Sequence, residues 1–324
     1  MTAVLTPELA AQIVQADGPK VVEEINQFTS STFKTRGGRV GSGMGILLEA
    51  LWVYYMNRTL QNEGGIARAC ELAWLPDHEP ADFACLYRAV EWKPESREGE
   101  LFRIEAKSMN VGVEEAKGHF TNLEKETTPA DHLLVLIWSW VKIENYYVWP
   151  RLHDYFFAPS LPIIRLRDAL HVARRGSFVS HTSCPDGCTP DACTHAGEPL
   201  NAAGKRERKG GPASCRPANV DYAANFGGLL RMIKTDNDAA RKVFRTIRND
   251  DEIAHRYVSF IHKHYPAEEA NQYRKAEWTA LARSLGIQRP SADLAALIEQ
   301  IRSSYPDYQA VLRTLFSQDS NSLF

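Results

Sequence analysis

The sequence predicts an α/β protein, and three observations carry that expectation. Apolar stretches in the first half of the chain follow one another in the order helix, strand, strand, helix, strand. The run Leu133-Leu134-Val135-Leu136-Ile137-Trp138 is continuously apolar, as a strand buried on both faces requires. Residues 101–107 alternate instead, with Phe102, Ile104 and Ala106 on one face and Arg103, Glu105 and Lys107 on the other.

Taken in order, residues 6–28 are expected to form a helix capped by Thr6 with Pro7 at its first position. Asp17-Gly18-Pro19 reads as a turn that interrupts it. Residues 33–39 are basic and glycine-containing, so Lys34, Arg36 and Arg39 suit a phosphate partner. The glycines at 41, 43 and 45 follow no apolar strand and lack the dinucleotide-binding spacing. Residues 46–57 form a helix that is apolar almost all round, predicting burial. Glu49 lies in its middle, and its neighbours three and four positions away (Gly45, Ile46, Trp52, Val53) offer no base. A buried carboxylate needs a partner from elsewhere in the fold or takes up a proton.

Residues 64–74 are expected to be helical and 76–80 a turn. Strands follow at 82–88 and 101–107, joined by a charged loop. Pairing them antiparallel with Asp82 opposite Lys107 puts Asp82 diagonal to Glu105, within reach of one cation. Residues 110–126 read as helix, 146–149 as a further strand and 165–175 as a basic helix. From 178 to 218 the composition turns to loop, and beyond it helices are expected at 229–233, 239–247, 253–265, 276–285, 294–301 and 308–316. Residues 280–287 and the helix after them loosely resemble a helix-turn-helix, a pattern shared by ordinary helical hairpins. The expected organisation is helices and core over 1–177, a cysteine-rich basic loop over 178–218 and a helical region over 219–324.

Composition sets the outer bounds. A chain of 324 residues with 44% apolar and 24% charged residues is that of a globular protein. Its net charge of −2 advertises no anionic partner, so local charge must make that case. No run reaches a membrane span and residues 1–6 lack a signal-peptide pattern, which predicts a cytoplasmic protein without a membrane partner. Cys70 and Cys85 sit among apolar residues and are expected in the core.

The chemistry centres on Asp82, Glu105 and Lys107. An Asp opening one strand and a Glu-x-Lys ending the next place two acids and a base together. Asp82, Glu105 and the Ala106 carbonyl offer hard oxygens to Mg²⁺, with Glu49 completing the shell. Lys107 can donate to the attacking water or to a phosphate. Glu91-Trp92-Lys93 and Glu115-Ala116-Lys117 repeat the short pattern, but neither ends an alternating strand paired to an Asp-led strand. With the helix carrying Glu49 before it and a helix and buried strand after it, the stretch from about residue 40 to 140 resembles the PD-(D/E)xK nuclease superfamily. Ala81 stands where that pattern prefers Pro before the Asp, and Asp77, which does follow a Pro, is a fallback ligand. The resemblance implies a restriction-endonuclease-like core of a mixed central sheet flanked by helices. It also implies Mg²⁺-dependent hydrolysis of double-stranded DNA by a homodimer, leaving 5′-phosphate and 3′-hydroxyl ends. A type II restriction enzyme of a restriction-modification system is the leading expectation. A repair or defence nuclease with the same core, and a zinc-containing DNA-binding protein without catalysis, are the alternatives.

Cys184, Cys188 and Cys193 fall within ten residues, and Cys215 follows. In a reducing compartment such a cluster suggests metal before disulfides. Four ligands suit a structural Zn²⁺, the fourth being Cys215, His195 or His181. Residues 160–220 hold nine Lys/Arg against five Asp/Glu, and Lys205, Arg206, Arg208 and Lys209 lie inside the cysteine cluster. A metal-anchored loop presenting them suits DNA, with Lys and Arg on phosphates and Arg on guanine edges.

Overall fold

The computed structural model describes residues 5–34, 43–76, 79–111, 120–143, 147–180, 193–204, 251–264, 275–291 and 294–306, with a few single positions between and beyond them. Helix α1 (Pro7–Thr32) and helix α2 (Met44–Glu63) come first. A 3-10 turn (Ala67–Ala69) then leads into strand β1 (Cys70–Trp74), where a helix over 64–74 was expected. In the strand, Cys70 and Leu72 alternate inward into the core, and that period of two is what decides the stretch.

Strands β2 (Phe83–Tyr87) and β3 (Glu100–Asn110) form an antiparallel pair. β4 (His132–Ile143) lies parallel to β3, and β5 (Tyr147–Pro159) returns antiparallel to β4. The result is one five-stranded mixed sheet in the order β1-β2-β3-β4-β5. The 110–126 helix is not seen where that span is described: β3 runs on to Asn110, residues 120–123 are irregular, and Glu124–Glu126 is a single 3-10 turn.

Helices cover both faces. On one face, α1 and α2 pack Val14, Val21, Ile25, Leu48, Trp52 and Met56 against Phe102, Ile104, Leu134 and Leu136. On the other, Leu133, Val135 and Ile137 meet helix α3 (Leu161–Ala173) and helix α4 (Glu252–His264). Strand β4 therefore feeds both cores, as its unbroken apolar run predicts. Full burial of each such Leu, Ile or Val contributes roughly 1.5–3 kcal/mol. Helices α5 (Lys275–Ser284) and α6 (Leu294–Ser304) share a separate cluster built on Trp278, Leu281 and Ile301.

Two local readings change. Helix α2 is not buried all round, because Ile46 and Tyr54 face solvent. Helix α1 passes straight through Asp17-Gly18-Pro19. Pro19 has no N–H for the carbonyl of Gln15, four residues back. The Tyr155 hydroxyl on β5 donates to that carbonyl instead, at 2.9 Å. Gly18 is needed because a Cβ there would run into the Tyr155 ring. The turn signal thus records a close approach between helix and strand.

Candidate active site

Strand β3 changes neighbours at Ile104. Up to that residue it pairs with β2, whose last partner is Phe83 opposite Ile104, and from there to Asn110 it pairs with β4. The observed register is two residues away from Asp82 opposite Lys107, and a shift of two keeps every side chain on its expected face. Beyond Phe83 the β2 side of β3 has lost its strand, and Ala106 presents an N–H and a C=O there. Side chains meet both: Asp82 Oδ2 accepts from Ala106 N at 2.7 Å, and Lys107 Nζ donates to Ala106 O at 2.7 Å. The end of a strand is what brings these groups together.

The Lys107 ammonium is the hub. It is ion-paired with Glu105 Oε1 and lies 3.6 Å from Asp82 Oδ2. The three oxygens named from sequence as Mg²⁺ ligands therefore all turn toward one cation. Asn122 Nδ2 donates to the second Glu105 oxygen at 3.0 Å. Glu49 enters from α2, where Ser108 Oγ donates to the Gly45 carbonyl at 3.2 Å and ties the helix start to β3.

Burial and like charge unsettle the acids. The Glu49 carboxyl is pushed up to about 7, first by burial and then by Asp82, with Lys107 and the Ser108 hydroxyl opposing. Burial also raises the Glu105 carboxyl, against the pull of Lys107 and with a further push from Asp82. For Lys107 burial favours loss of the proton, yet Glu105 and Asp82 outweigh it and hold the ammonium above its ordinary value. Lys107 is therefore held as the charged ammonium.

Ala81, before Asp82, has φ of +80°. Proline is locked near −65° and cannot adopt that backbone. The departure from the Pro-Asp pattern therefore follows from the turn that delivers Asp82.

The cysteine loop springs from a short hairpin, β6 (Ser177–Phe178) against β7 (Pro199–Leu200). Among the described residues, the only group of three or more His, Cys, Asp or Glu whose ligand atoms all stand within 4.8 Å of one another is Cys184, Cys188 and His195. That trio can hold a metal ion such as zinc. Asp82, Glu105 and Glu49 stand apart around Lys107 and form no such closed set. Cys193 lies outside the trio, although its thiol neighbours that of Cys188. Lys34 is exposed just past the end of α1. Arg36, Arg39, Asp77, His181, Lys205, Arg206, Arg208, Lys209 and Cys215 lie outside the described residues.

Asn122, Ser108 and Glu198 were missed from sequence. Asn122 falls in a stretch read as helix, and nothing local marks any of the three as a partner. Comparison with protein-family models, with curated proteins and with solved structures returns no match. The site's own geometry therefore carries the functional reading.

Proposed function

We propose that this chain is a metal-dependent nuclease that hydrolyses phosphodiester bonds in double-stranded DNA, in the manner of the PD-(D/E)xK superfamily. One observation carries the reading: Asp82, Glu105 and the Ala106 carbonyl converge on the Lys107 ammonium at the point where β3 outruns β2. The donor set fits a hard divalent ion, since it offers two carboxylates and a carbonyl and leaves coordination positions for water. Mg²⁺ bound there would neutralise charge on a phosphate and acidify a water. Asp82, Glu105 and Ala106 would hold it, and Lys107 would turn its ammonium to a phosphate oxygen. Asn122 fixes the Glu105 carboxylate so that one oxygen keeps its direction. Glu49, with a carboxyl titrating near 7, is the group best suited to accept a proton at neutral pH. The order helix α2, strands β1 to β3, crossover and parallel strand β4 supports a restriction-endonuclease-like core. A type II restriction enzyme acting as a homodimer and leaving 5′-phosphate ends is the finer form of the proposal.

The test is cleavage of supercoiled plasmid with Mg²⁺ or Mn²⁺. The wild type is expected to cut, and Asp82→Ala and Lys107→Ala to lose about a hundredfold or more of the rate. Discrete bands mark a sequence-specific enzyme, and a smear marks a nuclease of other substrate geometry. Binding of plasmid with no cutting in either ion would leave the non-catalytic DNA-binding alternative in its place.

A further inference from the structure

The cysteine loop offers six described or sequence-named ligands for a metal that takes four. Cys184, Cys188 and His195 already stand within 4.8 Å of one another. Thiolate and imidazole are donors that zinc accepts in tetrahedral structural sites, closed to water. The fourth position lies among Cys193, Cys215 and His181, and of these only Cys193 is a described residue. Cys193 is two residues from His195, and its thiol is a hydrogen-bonding neighbour of the Cys188 thiol.

Three further contacts shape the loop as a metal-binding unit. Its two ends are clasped by the β6–β7 hairpin, with Val179 N donating to Glu198 O at 2.9 Å and Gly197 N to Val179 O at 2.8 Å. The Lys125 ammonium donates to Thr194 O at 2.9 Å and pins the segment between Cys193 and His195 to the body of the protein. Glu198 Oε1 lies 3.3 Å from His195 Nδ1. A carboxylate on one ring nitrogen fixes the tautomer that presents the other nitrogen to a metal.

We infer that Cys184, Cys188, Cys193 and His195 form a complete four-ligand zinc site and that Glu198 orients His195 within it. The site shares no residue with Asp82, Glu105 and Lys107, so it stands or falls separately from the nuclease reading. Metal content of the full chain, purified without chelator, is the measurement. One zinc per chain is expected in the wild type, in Cys215→Ser and in His195→Cys, where a thiolate replaces the imidazole. Cys193→Ser and His195→Ala are expected to lose it. Glu198→Gln should keep the stoichiometry and weaken zinc affinity by about 10–100-fold in a chelator competition. Cobalt substitution adds a second reading, because its visible bands report the number of thiolates and should change with Cys193→Ser and not with Cys215→Ser. A wild type without metal overturns the inference. So does loss of zinc in Cys215→Ser alongside retention in Cys193→Ser, and both Cys215→Ser and His195→Cys remain informative even where a loss variant fails to fold.

Discussion

Glu49 shows how far a single residue can be read before its neighbours are known. Its place in an apolar helix without a local base marks it as unusual, and the structure supplies the other charges from β2 and β3. Because its carboxyl is raised from 4.5 to about 7, the protonated form is the one the folded chain favours. Stability from this group is thus fully present below about pH 4.5 and is lost as pH rises through about 7. With divalent ions chelated, Glu49→Gln is expected to remove that slope and to be more stable than wild type at pH 8, by at most about 3 kcal/mol. Urea unfolding at pH 5 and pH 8 measures it. Equal pH dependence in wild type and variant would put the buried charge elsewhere. Cys70 and Cys85 are simpler: small, apolar in context, and buried side by side as expected.

At the scale of elements, the β2–β3 pair was legible and its register was not. Alternation assigns faces, and faces survive a slip of two residues. The ends of the pair depend on other groups. Arg103, grouped from sequence with Glu105 and Lys107, is drawn into a separate network at the loop joining the strands. It is buried, donating to Glu100 at 2.7 Å, to Glu79 at 2.6 Å and to the Pro94 carbonyl at 2.6 Å. Arg97 adds to Glu100 at 3.1 Å and pairs with Asp131, whose carboxyl burial would raise but these contacts hold low. This network ties the loop at Pro94 and the segment before β2 at Glu79 to strand β3. Arg103→Ala would leave the buried Glu100 carboxylate short of its main partner, at a cost of about 3–5 kcal/mol. A fall in the urea midpoint of that order is expected. A change under about 1 kcal/mol, the range of a surface ion pair, would show that the network is solvated.

For the whole molecule, the sheet is a wall between two cores. None of Cys184, Cys188, Cys193 or His195 belongs to the clusters that pack against the sheet. The hairpin beneath the loop is held without metal, since His171 bonds the Ser177 and Leu200 carbonyls, the latter at 2.9 Å, and stacks edge-on to Phe178. Chelating a loop metal is therefore expected to leave the main melting transition within a few degrees of its place. Collapse of the whole transition would instead make the metal part of the core. Among the described residues no helix is long and apolar enough to cross a membrane. The sequence by itself determined the α/β class, the doubly buried strand β4, the faces of β3 and the crowding of cysteines. Each of these follows from periodicity or spacing within a few residues. Only the tertiary structure decided that 70–74 is a strand, that α1 is unbroken and that β2 begins at Phe83. It also decided which groups meet from afar, Asn122 with Glu105 in the site and Tyr155 with Gln15 on α1. Those contacts turn on which group satisfies a donor or acceptor left open locally, and that partner lies well beyond the reach of local pattern.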